Sequence, residues 1–177
     1  MYQPKSIYTK VAFETILHLL QGKDVKIPEK EIDNELLENR NGCFVSLHKT
    51  DGSLRGCIGT IEPIEENLYK EISRNAISAA KRDTRFSPMT LEEMDDVEIS
   101  VDVLTVPEEI FDLDDLDPQI YGVIVTDGAF KRAVLLPSIP GIDTLEKQLD
   151  IVKRKAGLEK VKNEKLKFFR FTSNRYH

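Results

Sequence analysis

The first pattern along the chain is that of an amphipathic helix. Apolar side chains at positions 13, 16, 17 and 20 repeat at i, i+3, i+4 and i+7 after a start signal at Ser6, which predicts a helix over 6–21 that Gly22 ends. A shorter helix is predicted at 31–38, where Leu36 and Leu37 supply the apolar side chains. The amino-terminal part of the chain is therefore predicted to be helical.

Further helices are predicted later in the chain. Pro63 stands at a typical first position, and an apolar face follows it, which predicts a helix over 63–82. Capping boxes predict two more helix starts, at Thr90 with Glu93 and at Asp143 with Glu146. The second of these helices should end at Gly157, because glycine readily adopts the left-handed conformation of a helix stop.

Strands are predicted where apolar and polar residues alternate, and two Asp-Gly pairs predict how they are joined. Asp51-Gly52 lies between strands at 43–49 and 54–61, and Asp127-Gly128 lies between strands at 123–126 and 129–136. A type I′ turn needs positive φ at both central residues, which suits this dipeptide, so two hairpins with two-residue loops are predicted. Further strands are predicted at 97–103 and 166–172.

Hairpins followed by helices, without a regular βαβ alternation, indicate an α+β fold. The predicted architecture is a mainly antiparallel sheet with two hairpins, covered by helices. The chain of 177 residues contains neither a linker-like stretch nor a repeat of fixed period, so a single domain over 1–177 is predicted. Any division of this domain into two lobes would have to come from packing.

Composition narrows the class of protein. The chain is 40% hydrophobic and 32% charged, as in ordinary globular proteins. It has no apolar run of about 18 residues, and its first residues lead into an amphipathic stretch and not into a signal-peptide core, so a cytoplasmic protein without a membrane role is expected. Two cysteines and three histidines, all scattered, argue against a disulfide framework or a structural zinc site, and no metal or cofactor is predicted.

Charge is distributed unevenly over a net charge of −6. Twelve acidic residues and no basic ones lie between Glu92 and Asp117, whereas 151–177 holds nine basic residues and two acidic ones. The acidic segment lacks the spacing and the glycine of a calcium-binding loop. The basic segment is expected to complement it, and binding to nucleic acid is not expected because no recognisable nucleic-acid module is present.

The densest group of candidate functional residues lies in the second strand of the first hairpin. Glycines on either side of Cys57 suggest that another backbone or a ligand approaches the strand closely. With a two-residue loop, the opposed pairs would be Thr50 with Ser53, His48 with Arg55, Ser46 with Cys57, and Phe44 with Gly59. Ser46, His48, Arg55 and Cys57 would then share one face, and Cys43 would lie on the other.

This patch has a catalytic and a structural interpretation. Cys57 is a candidate nucleophile or redox group, but a free cysteine has a pKa of about 8.5, so a positive charge such as Arg55 would have to stabilise the thiolate. His48 is a weaker candidate, as the base. In the structural interpretation Cys57 is a small core residue, Arg55 is paired with a carboxylate, and His48 is exposed beside the turn.

Arg85 is a second candidate for ligand binding. It lies in a segment with Arg82, Asp83 and Phe86 that follows the third predicted helix, which would return the chain past the hairpin. Arg55 and Arg85 are therefore expected to converge and to bind an anionic ligand. The alternative is that Arg85 is paired with a carboxylate.

The segment LRGCIGT at 54–60 resembles the signature of the AMMECR domain family, of the AmmeMemoRadiSam system protein A type. The resemblance extends over nearly the whole chain through the segments Gly42–Leu47, Asp83–Pro88, Val97–Val101, Leu135–Pro137 and Lys155–Leu158. It implies an α/β protein with a larger and a smaller lobe and a cleft lined by the signature. Arg55, Gly56, Cys57 and Gly59 match the signature as ligand-binding or reactive positions, whereas His48 lies outside it.

The resemblance also implies partners, because microbial members are encoded beside, or fused to, Memo-like and radical SAM proteins. One function class is an enzyme or enzyme component that works with such partners on a small or peptide-borne anionic substrate. The other is a non-catalytic binding or regulatory module for a protein or nucleic-acid partner. The exposure of Arg55 and Cys57 should discriminate between them, since a concave, solvent-accessible site favours chemistry.

Overall fold

The computed structural model describes residues 2–24 and 32–177, which fold into two compact units. The larger unit comprises residues 1–103 and 174–177, and the smaller comprises 104–173. Among the described residues are the helices α1 (Ile7–Leu20), α2 (Asn34–Glu38), α3 (Leu68–Lys81) and α4 (Leu145–Ala156), and the strands β1 (Cys43–Lys49), β2 (Leu54–Thr60), β3 (Val97–Leu104), β4 (Glu108–Ile110), β5 (Gly122–Thr126), β6 (Arg132–Leu135), β7 (Lys167–Phe171) and β8 (Ser173–Tyr176). The predicted α+β class, with a larger and a smaller lobe, is confirmed.

Each unit contains its own sheet and its own apolar core. In the larger unit the strand order is β2-β1-β3-β8, α3 packs against β1 and β2, and α1 packs against α3. In the smaller unit the order is β4-β7-β5-β6, and α4 packs against β5 and β6. The two predicted hairpins therefore belong to different sheets. Over residues 2–24 and 32–177, no helix is long and apolar enough to span a membrane.

The start and the end of α1 agree with the sequence pattern. Ser6 is the N-cap, and its hydroxyl accepts a hydrogen bond from the backbone N–H of Thr9, while Gly22 adopts a φ of 67° after the last turn. The predicted helix at 31–38 is observed as α2, starting at Asn34; residue 31 lies outside the described residues.

The third helix begins later than predicted, at Leu68 with Asn67 as its N-cap, and not at Pro63. The reason is the fully buried carboxylate of Glu71, which accepts hydrogen bonds from the backbone N–H groups of Ile64 at 2.8 Å and Glu65 at 2.7 Å. These bonds hold the preceding segment in a bend. In a helix that began at Pro63, the N–H groups of Ile64 and Glu65 would lie in the first turn and would have no partner within the helix. The Glu71 carboxylate supplies a partner for both of them.

The other two predicted helix starts are also shifted. Thr144, and not Asp143, caps α4, and Asp143 instead pairs with Lys147 one turn later. The segment after Thr90 forms a 3-10 helix, Glu92–Asp96, in which the carboxylate of Glu93 accepts from the backbone N–H of Thr90. The stop of α4 at Gly157, with a φ of 65°, is as predicted.

Both hairpins form, but neither has the predicted type I′ turn, because Gly52 and Gly128 have positive φ whereas the aspartates before them do not. In the first hairpin Gly52 N–H donates to the Lys49 carbonyl and Lys49 N–H donates to the Ser53 carbonyl. This is a three-residue loop, a type I turn followed by a left-handed glycine. The second loop is wider, and Asp127 N–H bonds the Lys131 carbonyl across it.

The acidic and basic segments do complement each other, as the charge distribution predicted. Within the smaller unit Arg170 pairs with Glu108, and Lys167 with Glu109. Within the larger unit Arg175 makes two bonds to the carboxylate of Asp102, at 2.9 and 3.1 Å. Part of the acidic segment forms the short strand β4, which the charge pattern did not reveal.

Candidate functional site

Cys57 lies in β2, the edge strand of the sheet in the larger unit, and it pairs directly with Ser46 of β1. The Ser46 hydroxyl donates a hydrogen bond to the Cys57 sulfur at 3.2 Å, and the Cys57 side chain is partly exposed. Cys43 is fully buried in the core and does not form a disulfide. Burial raises the pKa of the Cys43 thiol to about 12, so the two thiols have very different environments.

Arg55 is the extra residue of a β-bulge, and this changes the predicted pairing. Leu47 lies opposite Gly56 and His48 lies opposite Leu54, so the predicted pair of His48 with Arg55 is wrong. The three-residue loop shifts the register by one position, and the bulge at Arg55 restores it before Cys57. The predicted pairs of Ser46 with Cys57 and of Phe44 with Gly59 are therefore correct.

The Arg55 guanidinium is buried and paired with a carboxylate of the protein. Its Nε and Nη2 donate to the two carboxylate oxygens of Glu93 at 2.6 and 3.0 Å, and Nη2 also donates to the Ser87 carbonyl at 2.9 Å. The residue is 7% exposed. Arg55 also holds the pKa of the Glu93 carboxyl below its usual range. Arg55 is therefore paired with a carboxylate, as the structural interpretation of the patch predicted.

Asp83 and Arg85 bind the backbone of Cys57 from the open edge of β2. The Cys57 N–H donates to Asp83 Oδ2 at 2.9 Å, and Arg85 Nη2 donates to the Cys57 carbonyl at 3.3 Å. Arg85 also donates to Asp83, from Nε to Oδ1 at 2.9 Å and from Nη2 to Oδ2 at 2.7 Å. The Arg85 guanidinium holds the pKa of the buried Asp83 carboxyl well below its usual range.

The two arginines lie near each other, with Phe86 close to both, but the described residues show no cavity that both of them line. The guanidinium carbons of Arg55 and Arg85 lie 5.8 and 5.5 Å from the centroid of the Phe86 ring, so they cannot be further apart than about twice that distance. Each guanidinium is neutralised by its own carboxylate. The two arginines therefore do not form an anion site from two unpaired positive charges. The Arg85 side chain is nevertheless 55% exposed to solvent.

The cavity beside the signature strand is lined by Arg55 and not by Cys57. It measures about 340 Å³, and its lining residues are Lys49, Ser53, Leu54, Arg55, Phe86, Ser87, Pro88, Thr90 and Glu93. The aliphatic and aromatic members and the paired charges form a mixed surface of the kind that binds small ligands. The signature strand thus contributes two residues, Leu54 and Arg55, to the cavity, whereas Cys57 is not among the lining residues.

His48 lies in a different environment. It faces Glu98 across β1 and β3 and lines a cavity of about 580 Å³ together with Lys5, Ser100 and Arg175. Among the described residues, no hydrogen bond joins it to Cys57. The structure therefore does not support the prediction that His48 acts as a base toward the Cys57 thiol.

Gly56 and Gly59 both lie against protein groups. A Cβ at Gly56 would come within 2.4 Å of the Ala79 carbonyl oxygen of α3, and a Cβ at Gly59 would come within 2.2 Å of the Phe44 ring. The close approach that the glycines predicted is thus made by a helix backbone and by an aromatic ring. Their assignment as ligand-binding residues remains a prediction.

Sequence reasoning placed Ser46 in the candidate patch but did not single out Asp83 or Glu93 as members of the site. The signal for Asp83 was its position two residues before Arg85, where its carboxylate can accept from both the backbone and the side chain of that arginine. Glu93 was assigned to a helix cap and is shared with Arg55. Across the described ranges, no group of three or more His, Cys, Asp or Glu residues is placed to hold a metal ion.

Comparisons with known proteins place this arrangement in a family. A protein of Thermotoga maritima is 47% identical over 169 residues, which are 96% of each chain. A longer protein of Clostridium acetobutylicum is 40% identical over 174 residues, and the chain spans 36% of its length. The crystal structure of the uncharacterised protein PH0010 from Pyrococcus horikoshii matches with a TM-score of 0.85 and 33% identity over 95% of this chain and 88% of that one.

The family assignment rests on the whole fold and not on the signature alone. The match to the AMMECR1 family model runs from residue 9 to residue 176 and so includes β2, the Asp83–Arg85 segment and both sheets. The resemblance of the signature segment and the match of the complete chain agree. The chain belongs to the AMMECR1 family.

Proposed function

We propose that the protein is an enzyme or enzyme component that uses the Cys57 thiol and the Arg85 guanidinium on a small or peptide-borne anionic substrate. The observation that supports this is the way Cys57 is held. Its backbone is bound by Asp83 and Arg85, its sulfur accepts from the Ser46 hydroxyl, and its side chain is partly exposed. A thiol fixed in this way is pre-organised for one approach direction.

Arg85 is the group that would bind the substrate anion. A guanidinium has five N–H donors, and three hydrogen bonds of its side chain are used on Asp83 and Cys57. The remaining donors and the exposed side chain suit a carboxylate or phosphate. Arg55 has a supporting role in this proposal, because its buried pair with Glu93 holds the loop that carries Phe86 against β2.

The chemical role of Cys57 follows from its surroundings. The Ser46 hydroxyl at the sulfur and the Arg85 guanidinium at the Cys57 carbonyl hold the thiol in a partly exposed position, where a substrate can reach it. A nucleophilic or a redox role uses the same thiolate. In this proposal the substrate is delivered by, or passed to, Memo-like and radical SAM partners in the cytoplasm, as the family resemblance implies.

A second candidate function is a non-catalytic module that binds a protein partner. The specific observation in its favour is the engagement of Arg55 and Asp83, two of the charged groups around the signature, by internal partners. In that case the signature shapes the hairpin and Cys57 fills a position on its surface. The two functions differ in whether removal of the sulfur atom matters.

The test is an anion titration followed at the site itself. Inorganic phosphate and malonate are added to the wild-type protein, to Cys57→Ser and to Arg85→Gln, and the amide signal of Cys57 and the Nε signal of Arg85 are followed by NMR. The proposal expects saturable shifts in the wild type and in Cys57→Ser, loss of binding in Arg85→Gln, and no effect of the control Arg154→Gln, an exposed arginine paired with Asp150.

A parallel experiment addresses the role of the thiol. Metabolite extracts are incubated with the wild type and with Cys57→Ser, and adducts are sought by intact-protein mass spectrometry. A covalent adduct on the wild type alone supports the enzyme, whereas equal anion binding without any sulfur-dependent adduct or turnover supports the binding module. The absence of anion binding in the wild type would refute the proposed role of Arg85.

A further inference from the structure

Phe130 is 99% exposed at the tip of the hairpin that joins β5 and β6. The loop that carries it is well braced: the Asp127 carboxylate accepts from the N–H groups of Ala129 at 2.9 Å and Lys131 at 3.0 Å, and Gly128 N–H donates to the Thr126 hydroxyl. Lys131 Nζ also donates to the carbonyl of Gly157 at the end of α4. The aromatic ring is therefore held out in solvent by a pre-organised loop, which lowers the entropic cost of using it as an anchor.

The same unit contains a cavity of about 370 Å³ with a mixed apolar and polar lining. Its apolar lining residues are Ile110, Phe111, Leu113, Leu166 and Phe168, and Phe111 is itself 92% exposed. Helix α4 packs against β5 and β6, and the cavity opens over β4 and β7, the other half of the sheet. The volume is sufficient for an aromatic side chain.

The anchor and the cavity carry opposite net charges of one unit each, because Asp127 offsets one of two basic residues in the hairpin loop and Lys167 offsets one of two glutamates at the cavity. Lys131 and Arg132 follow Phe130 directly, whereas Glu109 and Glu164 lie at the cavity beside its apolar lining. Lys167, the basic member of the lining, is paired with Glu109. An exposed aromatic side chain beside a net positive charge suits a cavity that has apolar walls and a net negative charge.

The topology places both halves at one end of the sheet. Thr126, where β5 ends, pairs with Lys167, where β7 begins, and Phe168 pairs with Ile110 at the cavity. Phe130 is fully exposed, so it does not fill the cavity of its own chain. Two copies related by a two-fold axis at this end of the sheet can exchange the contact, each copy giving a ring and receiving one.

We propose that the smaller unit forms a symmetric dimer in which Phe130 of each copy enters the cavity lined by Ile110, Leu113 and Phe168 of the other. The contact is made twice in the dimer, and the basic hairpin tip of each copy meets the acidic side of its partner's cavity. This assigns a self-association surface remote in sequence from the signature strand.

Sedimentation equilibrium of the full chain, over concentrations from micromolar to millimolar, tests the proposal. The wild type should show a reversible monomer–dimer equilibrium. Phe130→Ala should raise the dimer dissociation constant by about 100-fold or more, because two rings per dimer lose their burial. The control Val106→Ala, at a residue that is 78% exposed in the same unit, should leave the constant unchanged. Circular dichroism should show both variants folded, since neither side chain is buried.

Two further measurements locate the contact. Glu164→Lys should weaken the dimer, and Glu159→Lys, at an exposed residue outside the cavity lining, should not. A photoreactive p-benzoylphenylalanine in place of Phe130 should crosslink two copies at residues 109–113 or 163–168. A monomer at every concentration, a dimer indifferent to Phe130→Ala, or crosslinks to any other segment would overturn the proposal, as would Phe130-dependent binding to anionic vesicles without self-association.

Discussion

Asp83 accepts a hydrogen bond from the backbone N–H of Cys57 at 2.9 Å, along the open edge of β2. Together with Arg85, which donates to the Cys57 carbonyl, it occupies the positions that the backbone of a neighbouring strand would take. An unpaired edge strand is a template for unwanted pairing, and side chains that cover it remove that risk. The same two side chains fix the backbone of Cys57 in the signature strand.

The first prediction concerns Asp83. Asp83→Asn should lower the free energy of unfolding by about 1–3 kcal/mol at neutral pH, because the charge-assisted bonds to Arg85 are lost from a buried carboxylate. Urea unfolding measures this. The pKa of Asp83 is lowered in the folded protein, so its contribution is complete above the ordinary aspartate pKa of about 3.9 and is lost as the pH falls below it.

The difference between wild type and Asp83→Asn should therefore narrow below about pH 4. Asp24→Asn, at an exposed aspartate, serves as the control and should change stability little at either pH. A difference that stays constant from neutral to acidic pH would mean that the Asp83 charge does not contribute.

The second prediction compares two neighbouring positions of the signature. Gly56→Val should cost about 2–3 kcal/mol of stability, since the new side chain meets the Ala79 carbonyl of α3, whereas Cys57→Ser should cost only about 1 kcal/mol. Guanidinium unfolding of both variants gives the comparison. Equal costs would show that α3 moves away from Gly56 without penalty.

The third prediction concerns the thiols. Iodoacetamide should modify Cys57 at least about 100-fold faster than Cys43, because Cys43 is fully buried and burial raises its pKa to about 12. Peptide mapping after timed quenching distinguishes the two sites. Ser46→Ala should slow the reaction at Cys57 several-fold, since its hydroxyl bonds the sulfur; an unchanged rate would remove Ser46 from the site.

The fourth prediction concerns the buried pair of Arg55 with Glu93. A double-mutant cycle with Arg55→Gln and Glu93→Gln should give a coupling energy above about 1 kcal/mol, because the Arg55 side chain is only 8% exposed. The pair of Arg170 with Glu108, whose carboxylate side chain is 62% exposed, is the matched control and should give about 0.2–1 kcal/mol. Equal coupling in the two cycles would argue against a structural role of Arg55.

Local chemistry was sufficient to predict several elements of the fold. Ser6 marks the start of α1 and Gly22 its end, Gly157 marks the end of α4, and the alternation after residue 97 predicts β3. These signals are local, because helix caps, glycine conformations and the side-chain period each depend on a few neighbouring residues. The pairing of Ser46 with Cys57 was also predictable. This predicted pairing is correct although the predicted turn type is wrong, because the bulge at Arg55 compensates for the extra residue in the loop.

By itself, the sequence determined the α+β class, the two hairpins and the opposite faces of the two cysteines, since each depends on the local order of apolar and polar residues. Only the tertiary structure decided what the charged residues do. Arg55 could face a ligand or a carboxylate, and the choice depended on Glu93, a residue 38 positions away. The start of α3 depended in the same way on where the Glu71 carboxylate is buried. A buried charge takes whichever partner the packing brings within hydrogen-bond distance, and that distance is fixed by the assembled core and not by neighbours in the chain.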